Sequence, residues 1–316
     1  MTYSRRISAI ATALGLALAA SAAANAAESI TPLQPGATTG VPNAALPPPG
    51  LYFSSDVDYA WGTMRNNSGA VSHVPADNNP NIKAANVEAV AALMWSTPWE
   101  VFGANYGMAI AQPIKFAHNT ITDPLAASDW HAAGLVGTVV TPIILSWNMK
   151  NGFFIGAGFS IATTDGKVSD VWDAQRGKYV LSKSNIADNY WTFQPNFAIS
   201  YIKDGWTLSA NNVFDFNTKN TTTDYQTGKT YYLDVTVAKR FGKWNIGAVA
   251  NYTQQYENDS QFGVSLANTK VQHVMVGPMV AYDFDRFTVM ARYLANVHTE
   301  NDVGISFLHL GIAMKL

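Results

Sequence analysis

The chain of 316 residues has no cysteine. That excludes a disulfide framework, a cysteine-bound zinc and a thiol nucleophile, so burial and backbone hydrogen bonds must hold the fold together. Charge is scarce too: Asp, Glu, Lys and Arg make up 13% of the residues, against about 25% in an ordinary soluble domain. The 20 basic and 22 acidic side chains nearly balance. No basic excess is present to attract nucleic acid, and no nucleic-acid partner is expected. Past the N-terminal segment no apolar run approaches the roughly 20 residues of a membrane-spanning helix.

What is present begins with an export signal. Arg5 and Arg6 precede the apolar run "ISAIATALGLALAASAA" at 7–23, and the small residues "ANA" at 24–26 supply a cleavage site. Removing residues 1–26 takes away two arginines and no acid, leaving a formal charge of −4. Residues 27–50 carry "PLQPGATTGVPNAALPPPG", which has no periodicity. This stretch reads as an extended periplasmic leader or as a plug folded into a lumen.

From residue 51 onward the pattern has a period of two. In "NFAISYIKDGWTLSANNVFDF" (196–216), Phe197, Ile199 and Tyr201 alternate with polar residues before Lys203-Asp204-Gly205. Trp206, Leu208, Phe214 and Phe216 do so after it. Two alternating runs joined by a short Gly-containing link define a hairpin. Twelve such strands are expected, at 51–64, 86–97, 99–115, 133–149, 152–162, 189–203, 205–218, 230–241, 243–257, 270–284, 286–298 and 303–316. Short links alternate with long ones rich in Asn, Asp, Thr, Ser and Gly. Aromatic residues, 12% of the chain, gather near both kinds of link. An exported, charge-poor chain with an even strand count and alternating loop lengths points to one fold class. It is all-β: a transmembrane antiparallel β-barrel of about twelve strands, with short periplasmic turns and long extracellular loops. Residues 51–316 form that barrel, and outer-membrane lipid is its expected partner.

The inward phase divides the wall. One half offers Gln194, Asn196, Asn211, Asp215, Asp234 and Asn251. The other is smooth and apolar, with Val90, Met94, Val140 and Ile144. Such a lumen suits an apolar solute with one or two polar ends, unless the apolar half merely packs under a loop or the leader. Cross-strand pairing brings Arg292 near His309, and closure of the last strand on the first adds Asp58. The three form a lumen charge cluster, read either as charge compensation or as a constriction. His273, His298 and His309 all fall on the inward phase by simple alternation, at differing heights. No metal, cofactor or catalytic residue is expected, and the chain does not read as an enzyme.

Three stretches carry a resemblance: "LPPPGLYF" (46–53), "NYWTFQPNFAISYIKDGWTLSANNVFDFNTKNTTTDYQTG" (189–228) and "GKWNIGAVANYTQQYEND" (242–259). They resemble the phenol meta-pathway degradation family, also called SphA-like, of outer-membrane proteins. The resemblance implies a channel-like protein for passive uptake of small hydrophobic or aromatic compounds. The alternatives are a non-transporting structural or receptor barrel and, further off, an outer-membrane lipid hydrolase. Unlike many barrel chains, this one ends in a non-aromatic residue, Leu316.

Overall fold

A computed structural model describes residues 34–73, 76–77, 80–123, 127–174, 177–182 and 185–316. The signal reading of 1–26 and the start of the leader lie outside the described residues.

The strands are β1 (Gly50–Met64), β2 (Ile82–Val101), β3 (Ala104–Ile121), β4 (Ser128–Leu135), β5 (Val139–Asn148) and β6 (Phe153–Ala162). There follow β7 (Asp170–Asp173), β8 (Lys178–Leu181), β9 (Thr192–Lys203), β10 (Trp206–Asn217), β11 (Tyr225–Gln226) and β12 (Thr230–Phe241). The last six are β13 (Trp244–Gln255), β14 (Ser260–Gln261), β15 (Val264–Ser265), β16 (Gln272–Phe284), β17 (Phe287–Glu300) and β18 (Val303–Lys315). Both β4 and β5 pair with β3 and together make one broken wall strand. The wall then has twelve strands, all antiparallel to their neighbours. It closes where β1 pairs with β18 from Tyr52↔Lys315 to Met64↔Val303 and with β2 from Gly50↔Ser96 to Thr63↔Lys83. In lipid, closure is what leaves no edge of unpaired N–H and C=O groups. The smaller elements lie in long loops: β7 pairs with β8, and β11, β14 and β15 form a small sheet.

Alternation decides which side chains meet lipid. In the β9–β10 hairpin Phe197, Ile199, Trp206, Leu208, Phe214 and Phe216 are exposed, while Ser200, Ser209, Asn211 and Asp215 are buried inside. The turn works because Asp204 and Gly205 both take positive φ, 52° and 77°, the geometry that matches strand twist in a two-residue hairpin. Aromatic rings band together at the short-turn end: Phe153 with Tyr201 at 4.8 Å, Trp244 with Tyr282 at 4.7 Å, and Phe284 with Phe287 at 4.7 Å. A half-wet interfacial layer favours such amphipathic girdles.

Three local expectations are corrected. The turn expected at Ser96-Thr97-Pro98 is a bulge inside the pairing of β2 and β3, between Ser96 and Glu100. The reversal comes at Phe102 and Gly103, with φ of 52° and 73°. Pro98 lacks an N–H for the ladder, and a bulge absorbs that loss. Val140, expected on the inner wall, lies on the outer phase. Val139 and Thr141 are the buried residues beside it, and irregularities between Val140 and Ile143 and between Gly107 and Ala109 reset the alternation before Ile144. His298 likewise lies off the inner face. The register shift at Val274/Met275 inserts an extra residue into β17, so Thr299 takes the buried position and His298 pairs with Glu300 at 3.0 Å.

Candidate functional site: the lumen and the leader within it

Residues 36–45 are buried inside the barrel. The leader, expected to be extended, runs here in turns: the N–H groups of Ala37, Thr39 and Ala45 donate to the carbonyls of Gln34, Gly36 and Pro42 at 3.0, 3.1 and 3.0 Å, and the wall supplies partners for its other polar groups. Asp234 Oδ2 accepts from the Thr38 N–H at 2.8 Å and from its hydroxyl at 2.7 Å. The Thr236 hydroxyl accepts from the Gly40 N–H at 2.7 Å. Ser209 and Ser200 accept from the N–H groups of Asn43 and Ala44, both at 3.1 Å. Ser146 accepts from the Leu46 N–H at 3.2 Å and donates to the Ala44 carbonyl at 2.7 Å. Ser96 donates to the Pro47 carbonyl at 2.7 Å. Arg292 donates to the Ala37 carbonyl at 3.1 Å, to the Thr39 hydroxyl at 3.0 Å and to the Thr39 carbonyl. A single segment thus touches β2, β5, β9, β10, β12 and β17.

The apolar side of the wall meets the same segment. Ala37, Val41 and Leu46 pack into one cluster with Val90, Met94 and Ile144. At Gly156 a Cβ would come within 2.7 Å of the Ala44 backbone, so the wall is smooth there because the leader lies against it. At Gly40 φ is +90°, and a Cβ would stand 2.7 Å from the Met290 sulfur.

The expected polar residues fall into two groups. Asn211 donates to the Thr38 hydroxyl at 3.0 Å, and Asn251 donates to Asp234 Oδ1 at 2.7 Å, so these three surround the leader. Gln194 donates to Asp215 at 2.9 Å, and Asn196 donates to Asn211 at 3.1 Å within the wall. Asp58, His309 and Arg292 occupy one cross-strand row. Asp58 Oδ1 lies 2.5 Å from His309 Nδ1, which is 3.2 Å from an Arg292 nitrogen. Asp56 Oδ1 lies 2.6 Å from His309 Nε2.

That row runs further than Asp58, His309 and Arg292. Asp58 pairs with Glu88, and Glu88 with Lys115, so five titratable side chains line up across β3, β2, β1, β18 and β17. All five are buried. Lys115 was not among the expected residues because its strand was read as ending there. Above the leader, Asp58, Glu88, Lys115, His273, Asp302 and Gln34 bound a cavity of about 20 Å³, room for about one water. His273 is fixed there by Asp302 at 2.7 Å and Thr299 at 3.1 Å. Outside the wall strands, Asp259 ties the long loops together, accepting from the Tyr225 hydroxyl at 2.5 Å and the Gly228 N–H at 2.8 Å. Burial pushes its carboxyl above the ordinary value, more than these bonds pull it down.

This is the build of an outer-membrane β-barrel, a porin-like wall with a segment of its own chain inside. Residues 62–306 match the family model described as "Putative MetA-pathway of phenol degradation", and the chain belongs to that family. No curated protein matches the chain. Among solved structures it is similar to the COG4313 outer membrane channel from Pseudomonas putida F1. The likeness has a TM-score of 0.70 at 11% identity and covers 87% of this chain and 98% of that one. It is also similar to the translocator domain of the autotransporter NalP from Neisseria meningitidis, with a TM-score of 0.50 at 10% identity, over 84% and 88% of the two chains. At 10–11% identity both likenesses show the fold, an antiparallel outer-membrane-type β-barrel.

Proposed function

We propose that this barrel is a channel for passive uptake of small hydrophobic or aromatic solutes, with its own leader as the closing element. The observation that carries the reading is the leader's dual contact. It hydrogen-bonds to Asp234, Thr236, Ser209 and Ser200, and it lies against apolar or smooth wall at Gly156, Gly107 and Met290. A solute with an apolar body and one polar end can replace those contacts in kind once the segment withdraws. Sugars and phosphates would find no ladder of arginines. The family description and the similar solved channel favour transport over catalysis.

A closed, non-transporting barrel is the second reading, and the small cavity above the leader favours it. Uptake of labelled phenolic, aliphatic and sugar compounds by cells with and without the gene separates the two. Faster entry of phenolics supports the channel; equal rates for every compound support the closed barrel.

A further inference from the structure

The outer face of the β3–β4 hairpin carries a cluster that the lumen does not use. His118 pairs directly with His131 across the two strands. Asp129 precedes His131 by two residues and so shares its face. The imidazole rings stack with centroids 4.1 Å apart at 20°. Asp129 Oδ1 lies 2.8 Å from His118 Nε2. One nitrogen from each histidine and one Asp129 oxygen all lie within 4.8 Å of one another. Asp129 and His131 are exposed and His118 is half-buried. Among the described residues no other three such donor atoms all lie that close to one another. His73–Asp123 and His298–Glu300 are pairs only.

The place has structural meaning. β4 is the end member of the wall's strand order and pairs with β3 alone. The segment at 136–138 separates it from β5, which does pair on both sides. On its other edge Lys167 alone bonds it among the described residues, its N–H donating to the Leu135 carbonyl at 2.8 Å and its Nζ to the Ala133 carbonyl at 2.9 Å, and a strand laddered along one edge opens more readily than one laddered along two.

We propose that His118, Asp129 and His131 bind a divalent transition-metal ion of the zinc, nickel or copper class, which staples β4 to β3. Two imidazoles and one carboxylate match the donor preference of these ions, whereas magnesium and calcium take oxygen ligands. Ligand bonds of about 2.0–2.2 Å in a tetrahedron need donors about 3.3–3.6 Å apart. Side chains on one face of the paired strands, two of them exposed and one half-buried, reach that spacing by rotation about χ1 and χ2. The ion takes the place of the His118–Asp129 hydrogen bond, the carboxylate cancels one unit of its charge, and a fourth position stays open to water. Lys83 faces Thr120 in the neighbouring row of the same surface, and its exposed stem lets the ammonium turn to solvent.

The test is calorimetric titration of the full folded chain in detergent with Zn²⁺ and then with Mg²⁺, with folding checked by heat-modifiable gel migration. Zn²⁺ should bind at one site per chain and Mg²⁺ should not. His118→Asn and His131→Asn should each weaken Zn²⁺ binding by about tenfold or more, while His298→Asn leaves it unchanged. Amide exchange over 128–135 should slow when Zn²⁺ is added. If the His118→Asn, His131→Asn double variant binds Zn²⁺ as tightly as the unaltered chain, the cluster is a hydrogen-bonded surface feature only and the proposal is overturned. Binding without slower exchange would overturn the stapling role.

Discussion

Asp234 accepts both the backbone N–H and the hydroxyl of Thr38, at 2.8 and 2.7 Å, across 196 residues of sequence. Its second oxygen accepts from Asn251 at 2.7 Å. A hydrogen bond to a charged group contributes about 1.5–3 kcal/mol. Asp234→Ala should therefore weaken leader docking by about 2 kcal/mol, roughly thirtyfold in the bound-to-free ratio. The barrel wall keeps its ladder, so heat-modifiable migration stays unchanged while open events in a planar bilayer become more frequent.

Leu310 stands mid-strand on the outer face and is 53% exposed. In water that exposure would be a liability; in lipid it is a requirement. Leu310→Arg should destabilise the bilayer-inserted barrel by about 2–4 kcal/mol, measured by reversible denaturant unfolding in liposomes.

The lumen bears an excess of acid. Asp56, Asp58, Glu88, Asp215, Asp234 and Asp302 are buried there against Lys115 and Arg292, while Arg240 and Asp283 form their own pair. An opened barrel should pass potassium in preference to chloride. The reversal potential under a KCl gradient gives the sign directly.

Asp259 supplies a pH dependence outside the membrane. Burial raises its folded-state carboxyl above the ordinary aspartate value, so the folded loop binds the proton more tightly than the open loop does. Its stabilisation is full below the unfolded pKa and declines as pH rises through the higher folded one. Amide exchange over the β11, β14 and β15 loops, corrected for intrinsic rate, should show less protection above that window. Asp259→Asn should remove the dependence.

Much of the wall was readable because each strand repeats one decision, lipid or lumen, at every second residue. The β9–β10 hairpin shows this: its outward rings and inward amides follow from alternation and an Asp-Gly turn. Alternation fails where the ladder slips, and slips are set by the neighbouring strand. Val140 and His298 were misplaced for that reason, and the β2–β3 reversal was set too early at Pro98. His118 and His131 lie beyond the expected bounds of their strands for a different reason: β3 and β4 continue into residues whose polarity reads as a loop, and Lys115 is the last residue of the expected strand. The leader's course was not legible, because a segment without periodicity carries no record of which wall it touches. Only the folded barrel brings Thr38 to Asp234 and Ala44 to Gly156.

The most direct measurement is the conductance of the full chain in planar bilayers against a variant lacking residues 34–46, with Gly40→Val as a variant of normal length. Removing the segment, or setting a branched side chain against Met290, should turn a mostly closed barrel into a steadily conducting, cation-preferring one. Equal conductance from all three proteins would contradict a leader that closes this lumen.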